Sequence, residues 1–199
     1  MANNCYNIIT VEGDIEILNK IREKFTPLVQ EGLNYQNYKE LFNGEQVYTD
    51  SYEDYDFRDE HPKWFTPEEP FIDEGQLIIQ GDSAWSPVTE LAGIISHVYK
   101  VSVRITYDEQ GMNFAGEQIY NEDGVCTLDE ECTYWEWQFK EGNFYDEFEY
   151  TAEYMDDLDE LNEFLDENNL TDKVDMDKVM SIWNQYHNEE EEEEQKDEE

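Results

Sequence analysis

Residues 101–120, VSVRITYDEQGMNFAGEQIY, restrict the fold more than any other stretch. Val101, Val103, Ile105 and Tyr107 alternate with polar residues, so one face of a strand is apolar and the other is wet. Gln110-Gly111 supplies a turn, and Phe114, Ile119 and Tyr120 return along a second strand. This hairpin requires a sheet with one covered face. The cover is provided upstream, where SPVTELAGIISHVY places Val88, Leu91, Ile94, Ile95 and Val98 at helical spacing. Ser86 is the expected N-cap there, with Pro87 at the first helical position.

The same alternation of strand and helix opens the chain. CYNIITVEGD gives a strand over 5–11, a turn at Gly13 and an N-cap at Asp14. The following helix carries Ile17, Leu18, Ile21 and Phe25 on one stripe, with Pro27 near its end. A short helix around 34–42 stops at Asn43-Gly44, and QLIIQGDS holds a buried strand over 77–80. Between them, 48–75 has three prolines and no period, as expected of a long acidic loop.

Two features of these elements carry a resemblance to a known family. The start MANNCYN, followed by strand, Gly-Asp turn and helix, is one. The other is the set Trp85, Pro87, Tyr107, Glu109, Gly111 and Gly116 on the helix and hairpin. Together they resemble the YubB-type ferredoxin-like domain family, over 1–25 and 76–121. The resemblance implies a ferredoxin-like antiparallel sheet with two helices on one face, and a plasmid or phage origin. It implies no reaction. Asn4 stands where that family often has Trp, and the acidic stretch 45–75 and everything after about 125 lie outside the likeness.

The C-terminal part reads as an acidic helical extension on this α+β domain. In EECTYWEWQFKEGNFYDEFEY, residues 130–150, Trp135, Trp137 and Phe139 alternate with Tyr134, Glu136 and Gln138, which predicts a strand, and Gly142-Asn143 a turn to a second one. Acidic helices follow, one with Leu158, Leu161, Phe164 and Leu165 inward and one with Val174, Val179, Met180, Ile182 and Trp183 inward. The expected organisation is a domain over 1–125 with the insertion 45–75, an aromatic strand pair with acidic helices over 126–187, and a disordered tail over 188–199.

Charge governs the functional reading. Among 199 residues, 52 are acidic and 12 basic, for a net charge of −40, yet 15% are aromatic. Acidic disordered chains have few aromatics, so a folded core is expected beneath the charge. Residues 1–130 hold 26 acids against 8 bases and 131–199 hold 26 against 4, so the charge pervades the chain. Forty charges match roughly 70 Å of duplex DNA, at one per about 1.7 Å. A compact chain of this size spans only about 40 Å. Solubility needs a net charge of only about 2–8, and self-repulsion destabilises the compact state.

Catalytic motifs are missing from the sequence. His61, His97 and His187 form no HExxH, and no Gly-rich phosphate loop, GxSxG or Cys–His spacing occurs. DDLDEL (156–161) and DKVDMDK (172–178) lack the glycine and terminal glutamate of a calcium loop. No enzyme activity, metal or cofactor is expected. A stacking platform for single-stranded nucleic acid needs a cationic groove, and the aromatic stretch offers only Lys140. Cys5, Cys126 and Cys132 form no CxxC pair, no apolar run of about 20 residues occurs, and no signal peptide is expected. Reduced thiols in the bacterial cytoplasm are the expectation.

The expectation is a non-enzymatic interaction protein of a phage or plasmid that binds a basic, nucleic-acid-binding host protein by mimicking nucleic acid. A defence nuclease, CRISPR effector or restriction enzyme is the expected target class. Carboxylates beside aromatics on ordered elements are the candidate contacts: Glu147, Glu149, Asp156, Asp157, Asp159, Glu160, Glu163 and Asp166, then Asp50, Glu53, Asp54, Asp56, Asp59 and Glu60. The alternative is a phage structural or assembly adaptor that docks through exposed aromatics, with charge serving solubility.

Overall fold

The computed structural model describes the backbone of residues 4–33, 42 and 64–197, and side chains as far as 187. The expected helix around 34–42, and most of the acidic insertion, lie outside the described residues. The chain divides into two compact units, Met1–Cys132 and Thr133–Glu199.

Unit 1 is built on an antiparallel sheet. Its strands are β1 (Asn4–Glu12), β2 (Phe65–Pro67), β3 (Phe71–Asp73), β4 (Gln76–Ala84), β5 (Ser102–Glu109), β6 (Phe114–Tyr120) and β7 (Cys126–Cys132). They lie in the order β2-β4-β1-β5-β6-β7, with β3 also paired to β4. Helix α1 (Ile15–Phe25) and the short α2 (Leu28–Glu31) follow β1, and α3 (Thr89–Tyr99) joins β4 to β5. Both β4 and β5 run antiparallel to β1, which lies between them. They are therefore parallel to each other, and β4-α3-β5 is a split βαβ unit.

Odd positions of β1, β4 and β5 face one core. Cys5, Ile9, Val11, Leu77, Ile79, Val103, Ile105 and Tyr107 are buried there with Leu18, Ile21 and Phe25 of α1 and Leu91, Ile94 and Ile95 of α3. The two helices thus cover one face of the sheet, as the sequence pattern required. Cys5 is fully buried in this core, and desolvation pushes its thiol up to about 12.

The odd register also buries a polar residue, Asn7. Its Nδ2 donates to the Cys5 carbonyl at 2.8 Å, to Gly81 O at 3.3 Å and to Ser83 Oγ at 2.9 Å, and its Oδ1 accepts from Val88 N at 3.0 Å. This explains a departure from expectation. α3 begins at Thr89 with Val88 as N-cap, rather than at Ser86-Pro87. The acceptor for its first N–H comes from a neighbouring strand, while Ser86 gives its carbonyl to Ser83 Oγ at 2.6 Å. Asn7→Ala leaves Val88 N without its acceptor inside the core and removes one hydrogen bond to Ser83 Oγ, which keeps the Ser86 carbonyl. It is expected to destabilise unit 1 by about 2–3 kcal/mol, read as a lower urea midpoint with an unchanged m-value.

β7 extends the sheet past the expected boundary at 125, so the first unit closes at Cys132. The aromatic strand pair is corrected. Residues 134–141 form helix α4 (Tyr134–Glu141) and 144–152 form helix α5 (Phe144–Ala152). Tyr134, Trp135, Trp137 and Gln138 are the buried positions, a helical i, i+1, i+3, i+4 set. Thr133 Oγ1 caps the helix by accepting from Glu136 N at 3.1 Å. Gly142, at φ 84°, takes the left-handed conformation that ends it. Thr133-x-x-Glu136 has the spacing of a capping box, and capping outweighs the two-residue alternation.

Helix α6 (Leu158–Glu167) and helix α7 (Met176–Asp197) complete unit 2. The backbone of 188–197, expected to be disordered, continues α7, in keeping with the high helix propensity of Glu. The core of unit 2 is Tyr134, Trp135, Phe144, Phe148, Ala152, Met155, Leu161, Leu165, Leu170 and Val179. Among the described residues no helix is long and apolar enough to cross a membrane.

Candidate functional site

Helix α6 holds more of the candidate carboxylates than any other described element. Asp157 is its N-cap, accepting from Asp159 N and Glu160 N at 2.9 Å each. Glu160 in turn accepts from Asp156 N at 2.7 Å. Two of the candidate carboxylates are therefore engaged in starting the helix, which fixes the rest. Leu161 and Leu165 point into the core. At about 100° per residue, Asp159, Glu160, Glu163, Asp166 and Glu167 fall on an arc of roughly 120° opposite them, and all five are exposed.

The remaining candidates divide. Glu149 is exposed and Glu147 half-buried on α5. Tyr134 Oη donates to Glu147 at 3.5 Å and Tyr186 Oη to Glu149 at 3.4 Å. The Tyr186 hydroxyl is held above its ordinary range by desolvation and then by Glu149. Asp156 and Asp157 are exposed in the connection from α5 to α6. Asp50, Glu53, Asp54, Asp56, Asp59 and Glu60 lie outside the described residues. Glu153 and Glu167 belong with the candidates and were missed. Glu167 follows Glu163 by four residues, so helical periodicity alone could have found it.

Unit 1 carries a second acidic locus on the sheet face away from the helices. Tyr6 pairs across the sheet with Asp82 on β4 and Asp108 on β5. Desolvation first, then Glu68, pushes the Asp82 carboxyl up. Desolvation, then Glu68, Asp82 and Asp108, pushes the Tyr6 hydroxyl up.

Other chemistry-bearing groups are structural in their contacts. Buried Glu109 accepts from Gly111 N and Met112 N and so closes the β5–β6 turn. His97 Nδ1 faces the Asp123 carbonyl, and the His187 ring lies between the carbonyls of Trp183 and Met155. Among the described residues, no three His, Cys, Asp or Glu side chains are grouped to hold a metal ion.

Residues 60–164 match the family model of the ferredoxin-like domain in Api92-like proteins, more than half of the chain, and the chain belongs to that family. The match crosses from unit 1 into unit 2. α4, α5 and most of α6 thus lie within this family's span, whereas the YubB-type likeness ended at 121. Comparison with curated proteins and with solved structures gave no match.

Proposed function

We propose that this member of the Api92-like ferredoxin-like family is a non-enzymatic protein that occupies the nucleic-acid groove of a basic host protein. The acidic face of α6 carries the proposal. Its five exposed acids span a ten-residue helix, about 15 Å long at 1.5 Å per residue. That is one charge per about 3 Å, against one per 3.4 Å along a single nucleic-acid strand. Arginine and lysine side chains that grip phosphates would meet carboxylates at a similar linear density, on a backbone held rigid by its own cap. Long-range attraction would speed capture.

The YubB-type likeness of 1–25 and 76–121 supports a plasmid or phage origin. In that setting a defence nuclease, a CRISPR effector or a restriction enzyme in the bacterial cytoplasm is the target class. The test is to immobilise the chain, pass bacterial lysate over it and elute with a salt gradient. Basic nucleic-acid-binding proteins released as salt rises are expected. Retention only of neutral or acidic proteins, indifferent to salt, would overturn the proposal.

One observation favours an assembly adaptor instead. Trp85 is 51% exposed at φ 70°, a backbone conformation that bulky residues rarely hold. Light scattering separates the two: a homo-oligomer in which Trp85 becomes shielded from quenchers supports the adaptor, and a monomer supports the mimic.

A further inference from the structure

The aromatics of unit 2 divide sharply by exposure. Tyr134, Trp135, Trp137, Phe144 and Phe148 are buried, and Phe139, Tyr145, Phe164, Trp183 and Tyr186 are half-buried. Tyr150 and Tyr154 are 73% and 78% exposed. They lie four residues apart, and the backbone between them stays right-handed through Glu153 (φ −60°, ψ −27°). Tyr154 N donates to Thr151 O at 3.1 Å, continuing the turn. Tyr150 thus stands on the last turn of α5 and Tyr154 about one turn further along the same right-handed backbone.

Charge surrounds the pair. Glu149 and Glu153 neighbour them, and both act electrostatically on Tyr186 together with Tyr150, which places the four side chains in one locality. Residues 141–172 hold thirteen acids and no lysine or arginine. The nearest later bases are engaged: Lys173 Nζ pairs with Glu136 at 2.7 Å, and Lys178 Nζ lies 3.8 Å from the centre of the Tyr145 ring. The second contact shows that a tyrosine in this acidic unit takes a cation on its face.

We infer that Tyr150 and Tyr154, with the carboxylates of Glu149 and Glu153, form a recognition surface for arginine side chains of the basic partner. A guanidinium is planar. It stacks on a tyrosine ring while its edge donates two parallel hydrogen bonds to a carboxylate, and an ammonium cannot do both. The inference rests on the proposed function and adds selectivity to it: the α6 face supplies attraction for any cation, whereas this surface selects arginine.

The probes are octa-arginine and octa-lysine peptides, titrated into the full chain at fixed moderate salt. The wild-type chain is expected to prefer octa-arginine about fivefold. Y150A/Y154A is expected to lose that preference and keep its affinity for octa-lysine. Both side chains are exposed, so folding is retained, as circular dichroism would check. Y150F/Y154F should keep the preference, because the ring face and not the hydroxyl makes the contact. Equal affinities in the wild type, or a preference that survives Y150A/Y154A, would overturn the inference and leave the α6 reading intact. If neither peptide binds, both fall.

Discussion

Phe148→Ala is expected to unfold unit 2 at 25 °C. Phe148 is fully buried and stacks on Phe144, with centroids 5.4 Å apart and planes 14° from parallel; Phe164 approaches at 5.8 Å. Truncating such a phenylalanine costs about 3–5 kcal/mol through lost transfer and a cavity. A unit of fewer than about 70 residues rarely has more than about 3–5 kcal/mol in total. The two quantities are equal in size, so the substitution removes the whole margin. Helical circular dichroism should fall by the share of α4 to α7, and Trp135 and Trp137 fluorescence should shift to the red. Phe148→Leu keeps most of the volume and should stay folded. A Phe148→Ala chain that melts within about 2 °C of wild type would show that the aromatic cluster does not hold unit 2 together.

The second large effect is on binding. D159N/E163Q/D166N/E167Q neutralises four exposed positions of the α6 arc and spares Asp157 and Glu160, whose caps start the helix. At about 0.5 kcal/mol for each exposed pair, affinity for the basic partner should fall by about 2 kcal/mol, or roughly 30-fold. The slope of log affinity against log salt should become shallower by about 3, taking 0.7 per single-strand charge. Neutralising Glu16, Glu23, Glu31 and Glu69, exposed on unit 1, removes as much charge from elsewhere. It should weaken binding by less than about threefold. Equal losses from the two sets would mean that net charge, and not the α6 face, drives association.

The legible parts of the fold were those where one face is dry. The strict alternation of Val103, Ile105 and Tyr107, and the stripe of Leu91, Ile94 and Ile95, have one solution each, and the structure has it. Trp135, Trp137 and Phe139 do not. Their spacing of two fits a strand, but the buried set also takes in Tyr134 and Gln138 and is helical, and the polar Gln138 at a core position hides that period in the sequence. The start of α3 was illegible for another reason. The group that accepts from Val88 N is Asn7, 81 residues away, and local capping rules cannot see it. At the candidate site, acidity was plain from the sequence. The division between capping carboxylates, Asp157 and Glu160, and outward ones, Asp159, Glu163 and Asp166, needed the helix boundaries.

If a row of carboxylates on α6 takes the place of a nucleic-acid strand, the chain and nucleic acid compete for one groove. The most direct measurement is the dissociation constant of the chain for a basic protein recovered from lysate, taken at increasing concentrations of a single-stranded oligonucleotide that the protein also binds. Competition is expected, with the apparent constant rising in proportion to free oligonucleotide and without limit. A constant unchanged by saturating oligonucleotide, with both molecules bound at once, would contradict it.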